Sequence, residues 1–232
     1  MGAIYNNNIV LDGLKIYYDF TNSRCYGGSG TAVNDLGLDN NNGTTANASF
    51  NSSGYFTFNY TGSISAANVF ESSSITAEAW IYPTSSPTTT DANRIWSRDR
   101  SDYWMLGHYG TDDKIEWYVV VNNGGNQYFS GSSEITLNTW QHIVGTYNGT
   151  TGLQAIYVNG ELLQSRTIAT TSNNLGNGST RPIVMGDNVE SGGAQGGPGF
   201  VGNIGQGRVY NIALSASQVK TNFEAHRLRY GI

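Results

Sequence analysis

The stretch NTWQHIVGTYNGTTGLQAIYVNGELLQSRTI, residues 138–168, decides how the chain folds. Two apolar-alternating runs flank Asn159-Gly160. A type I′ turn needs φ > 0 at both central positions, and an Asn-Gly pair supplies it at little steric cost. Asn148-Gly149 marks the preceding turn in the same way. Hairpins in succession predict an antiparallel β-architecture.

The same period-2 pattern recurs on either side of this stretch. Leu14, Ile16 and Tyr18 share one face of GLKIYYDF, and Phe56, Phe58 and Tyr60 point together in GYFTFNY. In SITAEAWIYP, Ile75, Ala77, Ala79 and Ile81 oppose Glu78, Trp80 and Tyr82. That mixed outer face predicts a sheet covered in part by loops or a partner. Further strands are expected at RIWSR, YWMLGHY, KIEWYVVV and NQYFSG, with VNNGGNQ as a hairpin connection. The polar segment DNNNGTTANASFNSSG reads as a surface loop. No linker, charge run or internal repeat divides the chain, so one domain is expected over residues 1–232.

One helix is expected, at the C-terminal end. Ser215 and Gln218 form a capping box, and Val219, Asn222, Phe223 and His226 then line one side, with Gly231 beyond the end. A helix of about three turns is marginal alone, so it must lie on the sheets. The expectation is a final strand that locks the sheet, followed by a helix covering an edge or an open end.

Composition narrows the partners. The net charge is −5, whereas neutralising phosphates calls for a basic surface, so nucleic acid is not expected as a partner. Cys25 is the single cysteine, so no intrachain disulfide can form. The start MGAIYNNNIVLDG has neither a basic n-region nor a long apolar h-region, and no apolar run approaches 18 residues. Neither a secretory leader nor membrane insertion is expected. An outward-facing composition without a visible export signal fits a protein released by cell lysis, such as a virion component.

Four segments resemble the concanavalin A-like lectin/glucanase superfamily in its laminin-G-like branch. DGLKIYYDF…GGSGTAVNDLGLDNNNGT is similar to the family's first strand and its Asp-Leu-Gly-…-Asn-Gly loop, and SITAEAWIYPT to the strand carrying its core Trp. The hairpin TWQHIVGTYNG…AIYVNGELL is the most specific match, and PIVMGDN…GFVGNIGQGRVYNIALSASQV is similar to the closing strand and helix. The ending VYNIALSASQVKTNFEAHRLRYGI resembles, more narrowly, laminin-G-like proteins of tailed-phage virions. The resemblance implies an all-β fold: a two-sheet antiparallel jelly-roll sandwich with a short C-terminal helix. It also implies binding of glycans or proteins, often with calcium.

Candidate sites follow from side-chain chemistry. The loop SRDRSDYWML gathers Arg98, Asp99, Arg100, Asp102, Tyr103 and Trp104, a mixture of flat rings and planar hydrogen-bonding groups suited to sugar. The competing reading puts Trp104 and Leu106 in the core and pairs the charges across a solvated turn. Calcium takes several oxygen ligands, and Asp187, Asn188 and Glu190 in GDNVESGG are the candidates. The resemblance implies acidic residues after Phe-x-Gly-x-Ile of the closing strand, but here Phe200–Ile204 is followed by Gly205-Gln206-Gly207. The glucanase triplet Glu-x-Asp-x-x-Glu is absent. Asp112, Asp113 and Glu116 come closest and have the wrong spacing. His142 reads as a packed structural histidine, and Cys25 as an incidental small residue.

The leading expectation is a non-enzymatic virion surface protein of a bacteriophage, as capsid decoration or fibre or tail adhesin. It would dock on other virion proteins as a homo-oligomer, with a trimer the first guess, and would touch host-surface glycans. The alternatives are an extracellular carbohydrate-binding lectin module outside a virion, and a polysaccharide hydrolase.

Overall fold

The computed structural model describes residues 8–66, 70–88, 92–99, 103–121, 125–168, 175, 181–187 and 198–232. The strands of the first half are β1 (Leu14–Asp19), β2 (Ala32–Val33), β3 (Gly43–Ala46), β4 (Ser49–Asn51), β5 (Tyr55–Asn59), β6 (Ser63–Ala66), β7 (Ile75–Pro83) and β8 (Ala92–Arg98). Those of the second are β9 (Trp104–Tyr109), β10 (Lys114–Val121), β11 (Gly125–Ser133), β12 (Gln141–Asn148), β13 (Leu153–Val158), β14 (Glu161–Thr167), β15 (Val184–Met185) and β16 (Val201–Tyr210). Helix α1 (Ala216–His226) and a 3-10 turn over Arg227–Tyr230 follow.

Two antiparallel sheets stack as a sandwich, the arrangement of a jelly roll. One runs β14-β13-β12-β7-β16-β5-β4 and the other β11-β10-β9-β8-β15-β6-β3-β2. The ten-residue β16 is the spine of the first sheet. One edge pairs with β7 throughout; the other is shared, with β5 against Val201–Ile204 and β1 against Gln206–Tyr210. The locking strand expected from sequence is therefore central.

Inward-facing residues of both sheets form one core, including Ile16, Tyr18, Phe56, Phe58, Ile81 and Trp96. Two tryptophans of the second sheet lie flat against backbone of the first. Trp96 donates its indole N–H to the Glu78 carbonyl at 3.0 Å, and Trp117 donates to the Thr146 carbonyl at 2.9 Å. Each ring needs a glycine beneath it. A Cβ at Gly145 would stand 2.4 Å from Trp117, and one at Gly207 would stand 2.8 Å from Trp96.

The Asn159-Gly160 turn has φ of 50° and 78°, and Val158 pairs with Glu161 across it, as the type I′ reading requires. Asn148-Gly149 departs from expectation. Positive φ falls on Gly152 instead, and the Asn148 side chain accepts from the backbone N–H of Thr150 and Thr151, making a four-residue connection. Gly149 is needed for closeness, since its Cβ would lie 2.0 Å from the Ser73 carbonyl oxygen. Leu14 does not share the face of Ile16 and Tyr18. An irregularity between Leu14 and Ile16 shifts the register, and Leu14 packs on the outer apolar cluster. The polar segment 39–54 is not only loop; it carries β3 and β4. Strands β10 and β11 pair antiparallel as expected, while residues 122–124 of their connection lie outside the described residues.

Gly145→Ala should lower unfolding stability by about 1–3 kcal/mol through overpacking against Trp117. Gly27→Ala, whose Cβ would meet nothing within 4 Å, should stay within about 0.5 kcal/mol of the parent. Guanidinium titrations of the two variants provide the comparison.

Candidate ligand-binding face

The outward phase of β7 places Glu78, Trp80 and Tyr82 on the side of the first sheet away from the core. Strand sequence alone leaves that face half apolar and half charged. The C-terminal segment completes it. Helix α1 starts at the capping box expected from sequence, with Ser215 as N-cap and Gln218 at N3, and it buries Val219, Asn222, Phe223 and His226. It lies across the sheet face, where those four side chains meet groups of β7, β12 and β16, and it reaches the edge strand β14, where Lys220 pairs with Glu161 at 2.5 Å. Val219 packs with Val144, Tyr157, Tyr210 and Leu214. Phe223 stacks on Trp80 with centroids 5.6 Å apart.

Beneath the helix is a buried polar network. Glu78 and Arg208 are cross-strand partners on β7 and β16 and form an ion pair. Asn222 Nδ2 donates to both Glu78 oxygens at 3.1 Å, and its Oδ1 accepts from the Val10 N–H at 2.8 Å. Arg208 Nη2 reaches Gln206 Oε1 at 2.8 Å and His226 Nδ1 at 3.1 Å. Gln206 donates to Asp19, which takes two hydrogen bonds from Arg229 in the 3-10 turn. Burial alone would raise the Glu78 pKa, but the Arg208 charge and His142 outweigh it and hold the carboxyl at about 2. His226 goes down to about 3, through burial first and then the Arg208 and Arg229 charges. Its Nδ1 therefore stays free to accept from Arg208. His142 is fully buried against Trp80 at 5.2 Å, a packed histidine as read from sequence.

The aromatic contacts continue past the helix into solvent. Tyr230 stacks on Trp80 at 4.2 Å over a strand position where only Gly205 leaves room, since a Cβ there would lie 2.6 Å from the Tyr230 hydroxyl. Trp140 meets Tyr230 at 4.8 Å, Tyr82 at 5.6 Å and Tyr55 at 5.9 Å. All four residues are half-buried, with the Tyr230 hydroxyl itself sealed from solvent. Directly opposed residues share a sheet face, so Asn203, paired with both Tyr82 and Thr57, belongs to the same surface. The Thr57 hydroxyl donates to Asn203 Oδ1 at 2.8 Å. The result is a platform of partly exposed rings edged by amide and hydroxyl groups. Flat rings with an apolar face and a few fixed polar groups suit a ligand that is apolar on one side and hydroxylated at its rim.

The sequence-derived sugar site falls elsewhere. Arg98, Asp99, Tyr103 and Trp104 are at most 1% exposed. Arg98 bonds the Phe70 and Arg181 carbonyls and Glu71, and stacks on Tyr103. The Tyr103 hydroxyl both donates to and accepts from the Ser72 backbone, and burial pushes its pKa up to about 12. Trp104 is core, 6.1 Å from Trp117. Arg98 and Tyr103 fasten the ends of β8 and β9 to the segment entering β7, Asp99 pairs with Arg181 at 3.3 Å, and none of the four offers open surface to a ligand. Arg100 and Asp102 lie outside the described residues.

Of the calcium candidates, Asp187 is 1% exposed, and its backbone carbonyl accepts from Ser97; Asn188 and Glu190 lie outside the described residues. Among the described residues no group of three or more His, Cys, Asp or Glu is placed to hold a metal. Asp112 pairs with Lys114 at 2.5 Å, Asp113 with His108 at 2.7 Å, and Glu116 is buried on β10.

The platform rings were not singled out from sequence. The available signal was the outward phase of β5 and β7, where Tyr55 and Tyr82 stand opposite to the core-facing Phe56 and Ile81.

His226 and Glu78 act in the same direction. A histidine held neutral at about 3 instead of 6.5 contributes stability that is full above pH 6.5 and is lost as pH falls toward 3. Glu78 adds a further loss between 4.5 and about 2. The parent should lose up to about 1.4 kcal/mol per pH unit below pH 6, and His226→Gln should flatten that slope while leaving the loss below pH 4. Urea titrations from pH 8 to pH 3 read both.

Comparison with known proteins agrees with the two-sheet fold. The laminin-G-type family model described as the concanavalin A-like lectin/glucanases superfamily matches residues 50–220. Part of the chain is 29% identical over 138 residues to the mouse sushi, von Willebrand factor type A, EGF and pentraxin domain-containing protein 1, covering 51% of this chain and 4% of that protein. Among solved structures, the ligand binding domain of botulinum neurotoxin serotype D, in complex with N-acetylneuraminic acid, aligns with a TM-score of 0.66 at 16% identity. It covers 96% of this chain and 54% of that one. Domain 4 of AbnA, an extracellular arabinanase from Geobacillus stearothermophilus in complex with arabinotriose, aligns with a TM-score of 0.60 at 20% identity, covering 91% and 98%. The chain thus spans about half of the neurotoxin domain and nearly all of the arabinanase domain, and at these identities the likeness is one of fold.

Proposed function

The chain belongs to the concanavalin A-like lectin/glucanase superfamily, and on that premise we propose that it is a non-enzymatic glycan-binding module whose ligand lies across Trp140, Tyr82 and Tyr55. The carrying observation is Trp140, a half-buried indole held at the surface by three tyrosines beside Thr57 and Asn203. A sugar's C–H face stacks on the rings while its hydroxyls meet the polar edge. Two similar folds hold sugars in their solved complexes, which supports the reading.

Hydrolysis is disfavoured on chemical grounds. A retaining glycosidase needs two carboxyl groups about 5 Å apart in an open cleft. Here Glu78 is buried under α1 against Arg208, and Asp112 and Asp113 are tied to Lys114 and His108.

The setting we propose is the surface of a bacteriophage particle, where the module acts as capsid decoration or tail adhesin, docked on other virion proteins and multivalent for host glycans. The phage-like ending from Val209 onward motivates it. Immunogold label is expected on intact particles; label confined to infected-cell cytosol overturns this setting without touching the sugar reading.

Wild-type protein should bind a subset of an immobilised glycan array, assayed in calcium and in EGTA. Trp140→Ala should weaken the best hit at least tenfold, about 1.4 kcal/mol. No hit in either buffer, or unchanged affinity in the variant, overturns the proposal.

A further inference from the structure

On the other side of the β4–β5 hairpin lies a groove of about 310 Å3 that the platform does not use. We propose that it is a second binding site, for a single neutral sugar ring such as the end residue of a glycan chain. This builds on the lectin reading, yet it stands on different residues.

The floor is aromatic. Phe20, Tyr26 and Phe50 line it, and they are held by edge and tilted contacts with Phe56, with centroid distances of 4.8 Å for Phe20–Phe56 and for Tyr26–Phe56. Tyr26 and Phe50 meet at 4.8 Å, so the floor has a fixed shape. The rim is hydroxylic: Thr21, Ser52 and Ser53 are exposed along it.

The walls are preorganised. On one side Cys25 N–H bonds the Asn22 carbonyl at 2.8 Å, and the Tyr26 hydroxyl bonds the Gly30 carbonyl at 2.8 Å. Opposite, the hairpin is closed by Gly54 N–H to the Asn51 carbonyl and by Ser53 N–H to the Asn51 side chain, both at 2.9 Å. Gly28 has φ of 91°, and a Cβ there would come within 4.0 Å of the Phe50 ring, so bare backbone forms the mouth. Walls set before binding reduce the ordering cost a ligand must overcome.

Charge decides the ligand class. None of the lining residues is ionisable to a cation or a carboxylate, and the nearby Asp19 is engaged by Thr21, Gln206 and Arg229. An anionic sugar would find no counter-charge among these lining residues, Arg24 of the same loop being the nearest cation in sequence. A neutral ring would stack on Phe50 and Tyr26 and trade water for the rim hydroxyls. The volume sits at the lower end for small-ligand pockets, which fits one ring rather than a chain.

Titrating isotope-labelled protein with methyl glucoside, methyl galactoside and N-acetylneuraminic acid tests this by amide shifts. At least one neutral glycoside should shift Gly27, Gly28 and Ser53 saturably, and N-acetylneuraminic acid should not. Gly28→Asn, a residue that tolerates positive φ, and Ser53→Trp each fill the mouth and should weaken these shifts at least tenfold. Trp140→Ala should leave them intact. No saturable shift, shifts that survive in a folded mouth variant, or loss of the shifts in Trp140→Ala overturns the groove. Groove shifts that persist when the array shows no effect of Trp140→Ala would sink the platform and leave the groove standing.

Discussion

The Glu78–Arg208 pair is the constraint on which the outer half of this molecule rests. Two opposite charges side by side on neighbouring strands, both about 1% exposed, are costly to take out of water. Such a pair adds little net stability by itself, but loss of either partner leaves a naked charge. The chain answers by closing most directions around it. Asn222 caps the carboxylate from the helix, Gln206 and His226 accept from Nη2, and Tyr17 lies under the guanidinium at 4.8 Å, while the buried Nε has no hydrogen-bond partner among the described residues. The C-terminal segment is therefore the part of the sheet's hydrogen bonding that the strands cannot supply. Its docking in turn seats Tyr230 over Gly205 and gives Trp140 its support.

On the inner side the organising device is steric. Trp96 and Trp117 are hydrogen-bonded to backbone carbonyls of the facing sheet, and Gly207 and Gly145 exist to let them approach. This fixes how the two layers slide relative to one another, more sharply than aliphatic packing would. Position 207 lies one residue from Arg208, so β16 carries the steric lock inward and the polar lock outward in adjacent residues.

Much of this was legible because it is local. The Asn159-Gly160 turn, the Ser215/Gln218 capping box and the buried helix face are fixed by residues within one turn of each other, and all three stand as read. The outward Trp80 and Glu78 correctly signalled a covered sheet face, though not that the chain's own end covers it. What failed depends on distant partners. The irregularity that turns Leu14 outward is set by pairing with β16, some 195 residues away, and nothing in GLKIYYDF announces it. Asn148-Gly149 resembles a two-residue turn, yet the closeness of Ser73 decides what Gly149 is for. Arg98 and Trp104 carry sugar-site chemistry, but the Phe70 and Arg181 carbonyls and the Glu71 carboxylate absorb the guanidinium. Trp140 was read as part of a strand signal, and its role emerges only when Tyr55, Tyr82 and Tyr230 converge from three other elements.

Val10 joins the first described segment to the last. Its N–H goes to Asn222 and its carbonyl takes the Tyr210 hydroxyl, so the beginning of the described chain is fastened beneath the same helix that ends it. Loosening the segment before β1 would therefore cost Asn222 one of its hydrogen bonds and slacken the helix over Glu78.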